Sequence, residues 1–397
     1  MIPLESLLRY AVEHSASDIH LKVGSPPVVR VDGALVHVPG TPKLTPAELE
    51  KVAMELTEHV PIRRDELRDK GETDLAFPFR GVGRFRVNIF RQRGSASVVM
   101  RLVPNAIPEL ESLGLPDVVR TLAEEERGIV LVTGTTGSGK STTMASMIDH
   151  LNRNHNRHVL TIEDPIEFLH SDRRSIINQR EIGNDTDDFS TALRRLLRQD
   201  PDVIMIGEIR DAETIETALN AAETGHMVLS TLHTLNATET INRIIGLFPP
   251  HLQQQVRSML ASTLRGVISQ RLVPRIDGTG RLAAVEVLVT TGRARDMILD
   301  PAETSRIHEV IREGEYDGMQ SYDQALYNLV MKGLVSVDEA MRAATSKHDF
   351  KLMLDAKASR RDTSQYNAPE PAPAVEAFAP DFSSVIAPAA GGVPAPH

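Results

Sequence analysis

Four short apolar runs in the middle of the chain alternate with stretches of helical periodicity. The runs cover residues 129–132, 159–162, 203–206 and 227–229. This alternation predicts a largely parallel sheet covered by helices on both faces, and hence an α/β fold. Each run ends in polar residues, and the ligand crevice of an open α/β sheet lies beyond the carboxyl ends of its strands. We therefore expect these polar residues to meet at one ligand.

The flanking regions have other patterns. Residues 1–103 open with an amphipathic helix and continue with period-two strands, which predicts a mixed α/β domain. Residues 249–350 are predicted to be mostly helical, with a helical pair interrupted at Gly333. We accordingly divide the chain into a first domain (1–103), a linker (104–115), a second domain with a helical C-terminal part (116–350) and a tail (351–397). The tail is rich in alanine and proline and is predicted to be disordered.

The amino-acid composition limits the cellular compartment and the kinds of partner that we expect. The 397 residues include no cysteine, which excludes disulfides and thiolate zinc sites and fits the cytoplasm. The N-terminus has no signal-peptide pattern and no apolar run approaches membrane-spanning length, so we expect no direct membrane insertion. A net charge of −10 argues against broad attraction to nucleic acid.

The pattern G-x-x-x-x-G-K-[ST] fits residues 134–141, between a predicted strand and a predicted helix. In that setting, backbone N–H groups surround phosphate oxygens, Lys140 reaches the β and γ phosphates of ATP, and Ser141 holds Mg²⁺. A coincidental glycine-rich turn is the alternative, which the strand-to-helix setting disfavours. The predicted nucleotide-binding residues are Gly134, Thr135, Thr136, Gly137, Ser138, Gly139, Lys140, Ser141 and Thr142.

Two carboxylates stand just after other apolar runs. Phosphoryl transfer to water needs a metal on the phosphates and a group that orients the attacking water. Glu208, after the run expected to neighbour the phosphate-loop strand, is the candidate for Mg²⁺, and Glu163 is the candidate for water activation. The two roles can be exchanged. Helix N-caps or surface ion pairs are the alternative for either glutamate.

Histidines and arginines supply further candidates. His233 follows the last run and could contact phosphate or Glu163, whereas His226 precedes that run and is the weaker candidate. In many phosphoryl-transfer sites an arginine, often from another subunit, stabilises the negative charge that develops on the γ-phosphate in the transition state. The candidates are Arg194 and Arg198 on one face of a predicted helix, and Arg86 and Arg101 on strands of the first domain. A structural histidine and a solvated basic face are the alternatives.

Six segments together resemble the hexameric ATPases of type II and type IV secretion systems, and within them the type IV pilus retraction ATPases of the PilT/PilU twitching motility kind. The resemblance covers roughly residues 5–345. Its segments are SDIHL at 17–21, RFRVNIF at 84–90, GTTGSGKSTT at 134–143, TIEDPIEF at 161–168, RQDPDVIMIGEIRD at 198–211 and AETGHMVLSTLHT at 222–234.

The resemblance implies a PAS-like N-terminal domain, a RecA-like P-loop ATPase domain and a homo-hexameric ring. It also implies residue roles: Glu163 activates water, Glu208 serves Mg²⁺, and His226 and His233 form a histidine box. By the same resemblance, arginines reach the γ-phosphate. These are Arg86, Arg101, Arg194 and Arg198.

Within that family, the absence of a long extra N-terminal domain and of a four-cysteine zinc module favours retraction over assembly or secretion. The implied partners are an inner-membrane pilus platform protein and a paralogous motor ATPase, with the ring on the cytoplasmic side at the pilus base. The GMQSYDQAL segment at 318–326 also resembles the accessory PilU branch. An accessory nucleotide-binding subunit and another motor of the secretion family are therefore alternatives. A nucleic-acid translocase is disfavoured because aromatic residues make up only 4% of the chain.

Overall fold

The computed structural model of the chain describes residues 3–14, 16–31, 33–79, 81–103 and 106–366. Residues 1–350 form one compact unit and residues 351–397 another. The first unit contains two sheets, of six and seven strands. None of the described helices has the length and apolar character needed to cross a membrane.

The six-stranded sheet is antiparallel and lies in the N-terminal region, in the order β3-β2-β1-β6-β5-β4. Its strands are β1 (Asp18–Leu21), β2 (Val28–Val31), β3 (Ala34–His37), β4 (Glu72–Phe79), β5 (Gly83–Gln92) and β6 (Ser95–Val103). Three helices belong to the same region: α1 (Leu4–Glu13), α2 (Pro46–Thr57) and α3 (Pro61–Lys70). Buried residues of α1, α2 and the strands form one apolar core, which confirms the predicted α/β character of this region.

The seven-stranded sheet has the order β13-β12-β7-β11-β10-β8-β9, and all of its pairs are parallel except β12 with β13. Its strands are β7 (Gly128–Thr133), β8 (His158–Glu163), β9 (Ile176–Glu181), β10 (Val203–Ile206), β11 (Met227–Leu232), β12 (Leu264–Pro274) and β13 (Arg281–Val289). Strands β7, β8, β10 and β11 are the four predicted apolar runs. Both faces of the sheet are buried, against two separate apolar clusters.

Eleven further helices are described. They are α4 (Val118–Glu124), α5 (Lys140–Asn154), α6 (Phe189–Leu196), α7 (Ala212–Glu223), α8 (Ala237–Gly246), α9 (Pro250–Thr263), α10 (Gly292–Leu299), α11 (Ile307–Glu313), α12 (Tyr322–Met331), α13 (Val337–Ala343) and α14 (Lys347–Tyr366). The pair α12 and α13 is separated at Gly333, whose φ of 68° is the left-handed conformation, so the predicted break is confirmed.

One prediction about this region was wrong, and another was incomplete. Strand β10 does not adjoin the phosphate-loop strand β7, because β11 lies between them. The region after residue 249 contains several helices, as predicted, but it also contains β12 and β13, which form a long antiparallel pair. This pair completes the sheet beside β7, a long-range contact that local periodicity does not encode.

Two predicted secondary-structure assignments also differ from the structure, although the predicted boundary at residue 350 coincides with the division between the two units. Residues 351–366 were assigned to a disordered tail, but they continue helix α14. The helix formers Lys, Leu, Met and Ala dominate its first half, and the prolines begin only at Pro369. The rest of the predicted tail, 367–397, lies outside the described residues, as do the linker residues Pro104 and Asn105. Helix α6 ends at Leu196, two residues before Arg198.

Candidate active site

The glycine-rich loop joins the carboxyl end of β7 to the first turn of α5. A Cβ on Gly134 would lie 2.4 Å from the backbone carbonyl oxygen of Gln270, so no side chain fits there. A Cβ on Gly139 would lie 2.7 Å from the side-chain amide nitrogen of Gln270, which would have to move. Both glycines also have positive φ, 144° and 92°. The loop therefore packs tightly onto β12 and directs the N-terminus of α5 outward, an arrangement that favours anions.

Lys140, the first residue of α5, is held inside this loop. Its Nζ donates to the carbonyl oxygens of Gly134 at 2.8 Å and Thr135 at 3.0 Å, and it lies 3.5 Å from Nδ1 of His233. Burial lowers the pKa of Lys140, and the nearby carboxylates of Glu208 and Glu167 oppose that shift. The ammonium group is therefore fixed at the mouth of the loop and faces two carboxylates.

A cavity of about 450 Å³ opens in front of the loop. Its lining includes Thr136, Gly137, Gly139, Lys140, Ser141, Thr142, Glu163, Glu208 and His233. The predicted loop residue Ser138 is buried, and its hydroxyl oxygen has no hydrogen-bond partner. Gly134, Thr135 and Ser138 thus complete the loop behind the residues that line the cavity. The three polar clusters after β8, β10 and β11 do meet here, as the sequence pattern predicted.

Glu163 is the last residue of β8 and is only 6% exposed. Its Oε1 accepts hydrogen bonds from Thr161 Oγ1 at 2.7 Å and Gln179 Nε2 at 3.0 Å. Its Oε2 accepts only a long bond, 3.3 Å, from the backbone N–H of Glu167. Burial raises the pKa of Glu163, although these hydrogen bonds act in the opposite direction. The result is a positioned carboxylate of increased basicity with one oxygen nearly free.

Glu208 stands two residues beyond the end of β10 and is held from two sides. Arg210 donates to its Oε1, and Nε2 of His233 lies 3.4 Å from its Oε2. His233 thereby bridges Glu208 and Lys140 through its two ring nitrogens. The sequence suggested phosphate or Glu163 as the partner of His233. Among the carboxylates, the structure places Glu208 and not Glu163 beside His233, because β10 and β11 are neighbours.

His226 is not at this cavity. It precedes β11, whereas His233 follows it, and the six residues of β11 span about 20 Å. The His226 ring instead lies 3.0 Å from the carbonyl oxygen of Ala221 and 3.3 Å from the Thr224 hydroxyl, at the opposite edge of the sheet. Within one chain, the predicted histidine pair is therefore separated by a whole strand.

The four predicted arginines also lie outside the cavity lining. Arg194 forms a surface ion pair with Glu213, and Arg198 is exposed beyond the end of α6. Arg101 pairs with Asp18 at 2.8 Å within the first sheet. Arg86 comes nearest, since its guanidinium lies 3.4 Å from the Glu167 carboxylate, and Glu167 lines the cavity.

The segment after Glu163 is fixed from the six-stranded sheet. Arg84 on β5 forms a 2.8 Å ion pair with Glu181 on β9, and both side chains are largely buried. The same Glu181 carboxylate accepts from the backbone N–H of Ile166 at 3.1 Å and from the side chain of Asn184. One carboxylate therefore joins the two sheets at the loop that follows Glu163.

Several residues of the site were not predicted. Thr161 lies two residues before Glu163 and so shares its strand face, a signal that period-two alternation could have supplied. Gln179 comes from β9, a strand with no clear apolar pattern. Arg281 and Leu272 reach the cavity from the β12–β13 pair, and Gln270 accepts a hydrogen bond from Thr143 on α5 at 2.8 Å. These three lie in a region predicted to be helical, so no local signal marked them.

The family model for type II/IV secretion system proteins matches residues 2–314 of this chain. The chain is 43% identical over 347 residues to the type IV pilus retraction ATPase PilT of Pseudomonas aeruginosa, covering 87% of this chain and 99% of that protein. It is 41% identical over 350 residues to the type IV pilus ATPase PilU of the same organism, covering 88% and 91%.

The fold has a similar solved counterpart. A crystal structure of the pilus retraction motor PilT with bound ADP superposes with a TM-score of 0.82 and is 45% identical in sequence. The match covers 88% of this chain and 99% of that one.

Proposed function

This chain belongs to the family of type II/IV secretion system proteins, and from that premise we propose that it is an ATP-driven motor of type IV pilus retraction. The observation that carries the proposal is the convergence of Lys140, Glu163 and Glu208 on one cavity at the carboxyl edge of the parallel sheet. The similarity to PilT over nearly the whole length of that protein supports the assignment to retraction.

The phosphate loop, residues 134–142, binds the ATP phosphates. The Nζ of Lys140 already points at the loop carbonyls, and phosphate oxygens would take their place as acceptors. The hydroxyl of Ser141 and the carboxylate of Glu208 are oxygen ligands of the kind that Mg²⁺ prefers, and both line the cavity. Bound Mg²⁺ would neutralise phosphate charge during transfer.

Glu163 orients the attacking water and accepts its proton. Its Oε1 is saturated by Thr161 and Gln179, so the carboxylate cannot rotate freely, while Oε2 has capacity for a further donor. The raised pKa of Glu163 makes the carboxylate a stronger base than an exposed glutamate. His233 links Lys140 to Glu208. Helix α8 begins four residues later, so a movement of His233 when phosphate binds would be transmitted to that helix.

The proposed assembly is a homo-hexamer of PAS-like and RecA-like domains. In such a ring, Arg86, Arg101, Arg194, Arg198 and His226 would act at the sites of neighbouring subunits, which accounts for their distance from the cavity of their own chain. Rotation of the first domain against the second, with a hinge between 104 and 114, would transmit force. The ring would act from the cytoplasmic face on an inner-membrane platform protein at the pilus base.

A second candidate function is that of an accessory subunit working with a paralogous motor. The identity to PilU, 41%, is nearly that to PilT, 43%, so overall similarity does not separate the two. The complete set of Lys140, Glu163 and Glu208 at one cavity favours a subunit that hydrolyses ATP itself.

Turnover by the purified full chain tests the enzyme. We expect Mg²⁺-dependent ATP hydrolysis that is lost in Lys140→Ala and Glu208→Ala, while Glu223→Gln, an exposed change at the end of α7, leaves it intact. Robust hydrolysis by Glu208→Ala would contradict the site assignment.

Filament retraction in the host tests the motor. Deleting the gene should leave cells with excess, non-retracting pili, and only the wild-type gene, not Lys140→Ala, should restore retraction. Repeating this in a strain without any paralogous motor separates the two candidates, because an accessory subunit would restore nothing there.

A further inference from the structure

Three metal-ligating side chains meet at the end of α5 that is remote from the phosphate loop. Glu124 ends α4, His150 lies in the last turns of α5, and His155 follows α5 directly. One ligand atom from each lies within 4.8 Å of the others. Ten residues of α5 separate His150 from Lys140, a rise of about 15 Å, so this cluster is distinct from the candidate active site.

The three ligand atoms are close enough to reach one metal ion, although Glu124 and His150 also form a direct hydrogen bond. Oε1 of Glu124 lies 2.8 Å from Nε2 of His150 and 3.5 Å from Nε2 of His155. Zinc holds imidazole nitrogens and carboxylate oxygens at about 2.0–2.1 Å, so two such atoms in a tetrahedral site are about 3.3 Å apart. Small side-chain rotations would therefore bring all three ligand atoms to one ion.

A further carboxylate lies near the second ring nitrogen of His150. Oε1 of Glu111, in the 3-10 helix Leu110–Leu113, lies 3.6 Å from Nδ1 of His150, on the side of the ring opposite Glu124. The side-chain amide nitrogen of Asn154 lies 3.3 Å from the same ring nitrogen. Metal-binding histidines commonly have such a carboxylate on the second nitrogen, where it fixes the tautomer and orients the ring. His150 is only 9% exposed, whereas Glu124 and His155 are partly exposed, which leaves an open side for water as a fourth ligand.

We propose that Glu124, His150 and His155 bind a divalent transition metal, with zinc as the best match to two imidazoles and one carboxylate. The ion would join the end of α4 to the end of α5, the helix whose first residue is Lys140. It would thereby fix the segment before the parallel sheet against the helix that carries the phosphate loop.

Calorimetric titration with Zn²⁺ tests the site. The probe is added to the untagged full chain, stripped of metal by a chelator and then saturated with Mg²⁺ and ADP so that the nucleotide site is occupied. We expect one Zn²⁺ per chain, a higher melting temperature on binding, and a visible spectrum of four-coordinate Co²⁺ when Co²⁺ replaces Zn²⁺. A wild-type chain that binds no Zn²⁺ under these conditions overturns the proposal.

Matched variants locate the ion. His155→Gln, a partly exposed change that spares the core, should weaken Zn²⁺ binding by at least about 100-fold, and Glu111→Gln by about 10-fold. His251→Gln on exposed α9 serves as the control and should bind like the wild type. Circular dichroism checks that each variant is folded. Equal Zn²⁺ affinity in His155→Gln and the wild type would show that the ion binds elsewhere and would overturn the assignment.

Discussion

The two sheets of the first unit use their charged side chains in different ways. In the antiparallel sheet, Asp18 on β1 stands directly opposite Arg30 and Arg101 and forms ion pairs with both. In the parallel sheet, Glu163 and Glu208 follow the ends of neighbouring strands and face a cavity. Antiparallel neighbours place unlike charges opposite each other, whereas parallel strands end at one edge and gather their polar ends there.

The paired charges of the antiparallel sheet contribute to stability, whereas the carboxylates at the cavity are available for chemistry. Charges that are paired across strands satisfy each other and add rigidity. Glu163 is instead buried with a raised pKa, an arrangement that costs stability and prepares a base for proton transfer. Changes in the parallel sheet should therefore affect turnover most, and changes at the contact between the sheets should affect folding most.

The largest expected effect is on catalysis. Glu163→Gln removes the proposed base but keeps the side-chain volume, so ATP turnover should fall by about 10²–10⁴-fold while nucleotide affinity changes little. Steady-state hydrolysis assays measure ATP turnover, and titration with a fluorescent nucleotide measures nucleotide affinity. The control is Glu50→Gln, which breaks the Glu50–Arg91 surface pair of the first domain and should leave turnover unchanged. A Glu163→Gln chain as active as the wild type would remove Glu163 from the reaction.

The next effect is on stability at the contact between the sheets. Arg84→Met leaves Glu181, whose side chain is 4% exposed, without its cation, and should lower the free energy of unfolding by about 3–5 kcal/mol. Adding Glu181→Gln should recover most of the loss. Arg101→Met, at a pair inside the first sheet where the arginine is 67% exposed, should cost less than about 1 kcal/mol. Denaturant unfolding measures the stability of each variant. Equal losses of stability in Arg84→Met and Arg101→Met would contradict the proposed difference between the two ion pairs.

A smaller effect depends on pH. Burial lowers the pKa of His170, which lines the cavity, to about 4 from the usual histidine value of about 6.5. Between pH 6.5 and 4 the unfolded chain binds a proton there that the folded chain does not, so acid destabilises the fold. His170→Gln should remove roughly 1–3 kcal/mol of that acid sensitivity. Melting curves from pH 7 to 4 test this, and exposed His37→Gln on β3 should keep the wild-type slope.

The smallest effect concerns the loop after β11. The buried Tyr322 hydroxyl donates to the carbonyl oxygen of Leu235 at 3.0 Å, two residues beyond His233. Tyr322→Phe should cost about 1 kcal/mol of stability and lower kcat a few-fold without raising KM, because the loop is held less firmly. Tyr10→Phe in the first domain, whose ring still stacks on His14, should leave kcat unchanged. A raised KM with normal kcat would place Tyr322 in substrate binding instead.

Much of the site was visible in the sequence because its signals are local. The phosphate loop depends on consecutive residues, and Glu163, Glu208 and His233 follow strands whose apolar runs are continuous. The hydrogen-bond partners that hold the residues of the site in position were not visible in the sequence. Gln179 and Gln270 hold Glu163 and Thr143 from strands that are distant in sequence, so only folding brings them together.

The sequence by itself therefore determined the α/β class, the four central strands, the phosphate loop and the edge at which the polar residues meet. It could do so because strand periodicity and loop chemistry are properties of neighbouring residues. Only the tertiary structure decided that β11 lies between β7 and β10 and that His233 bridges Lys140 and Glu208. Strand order depends on packing between distant segments, and no local pattern records it.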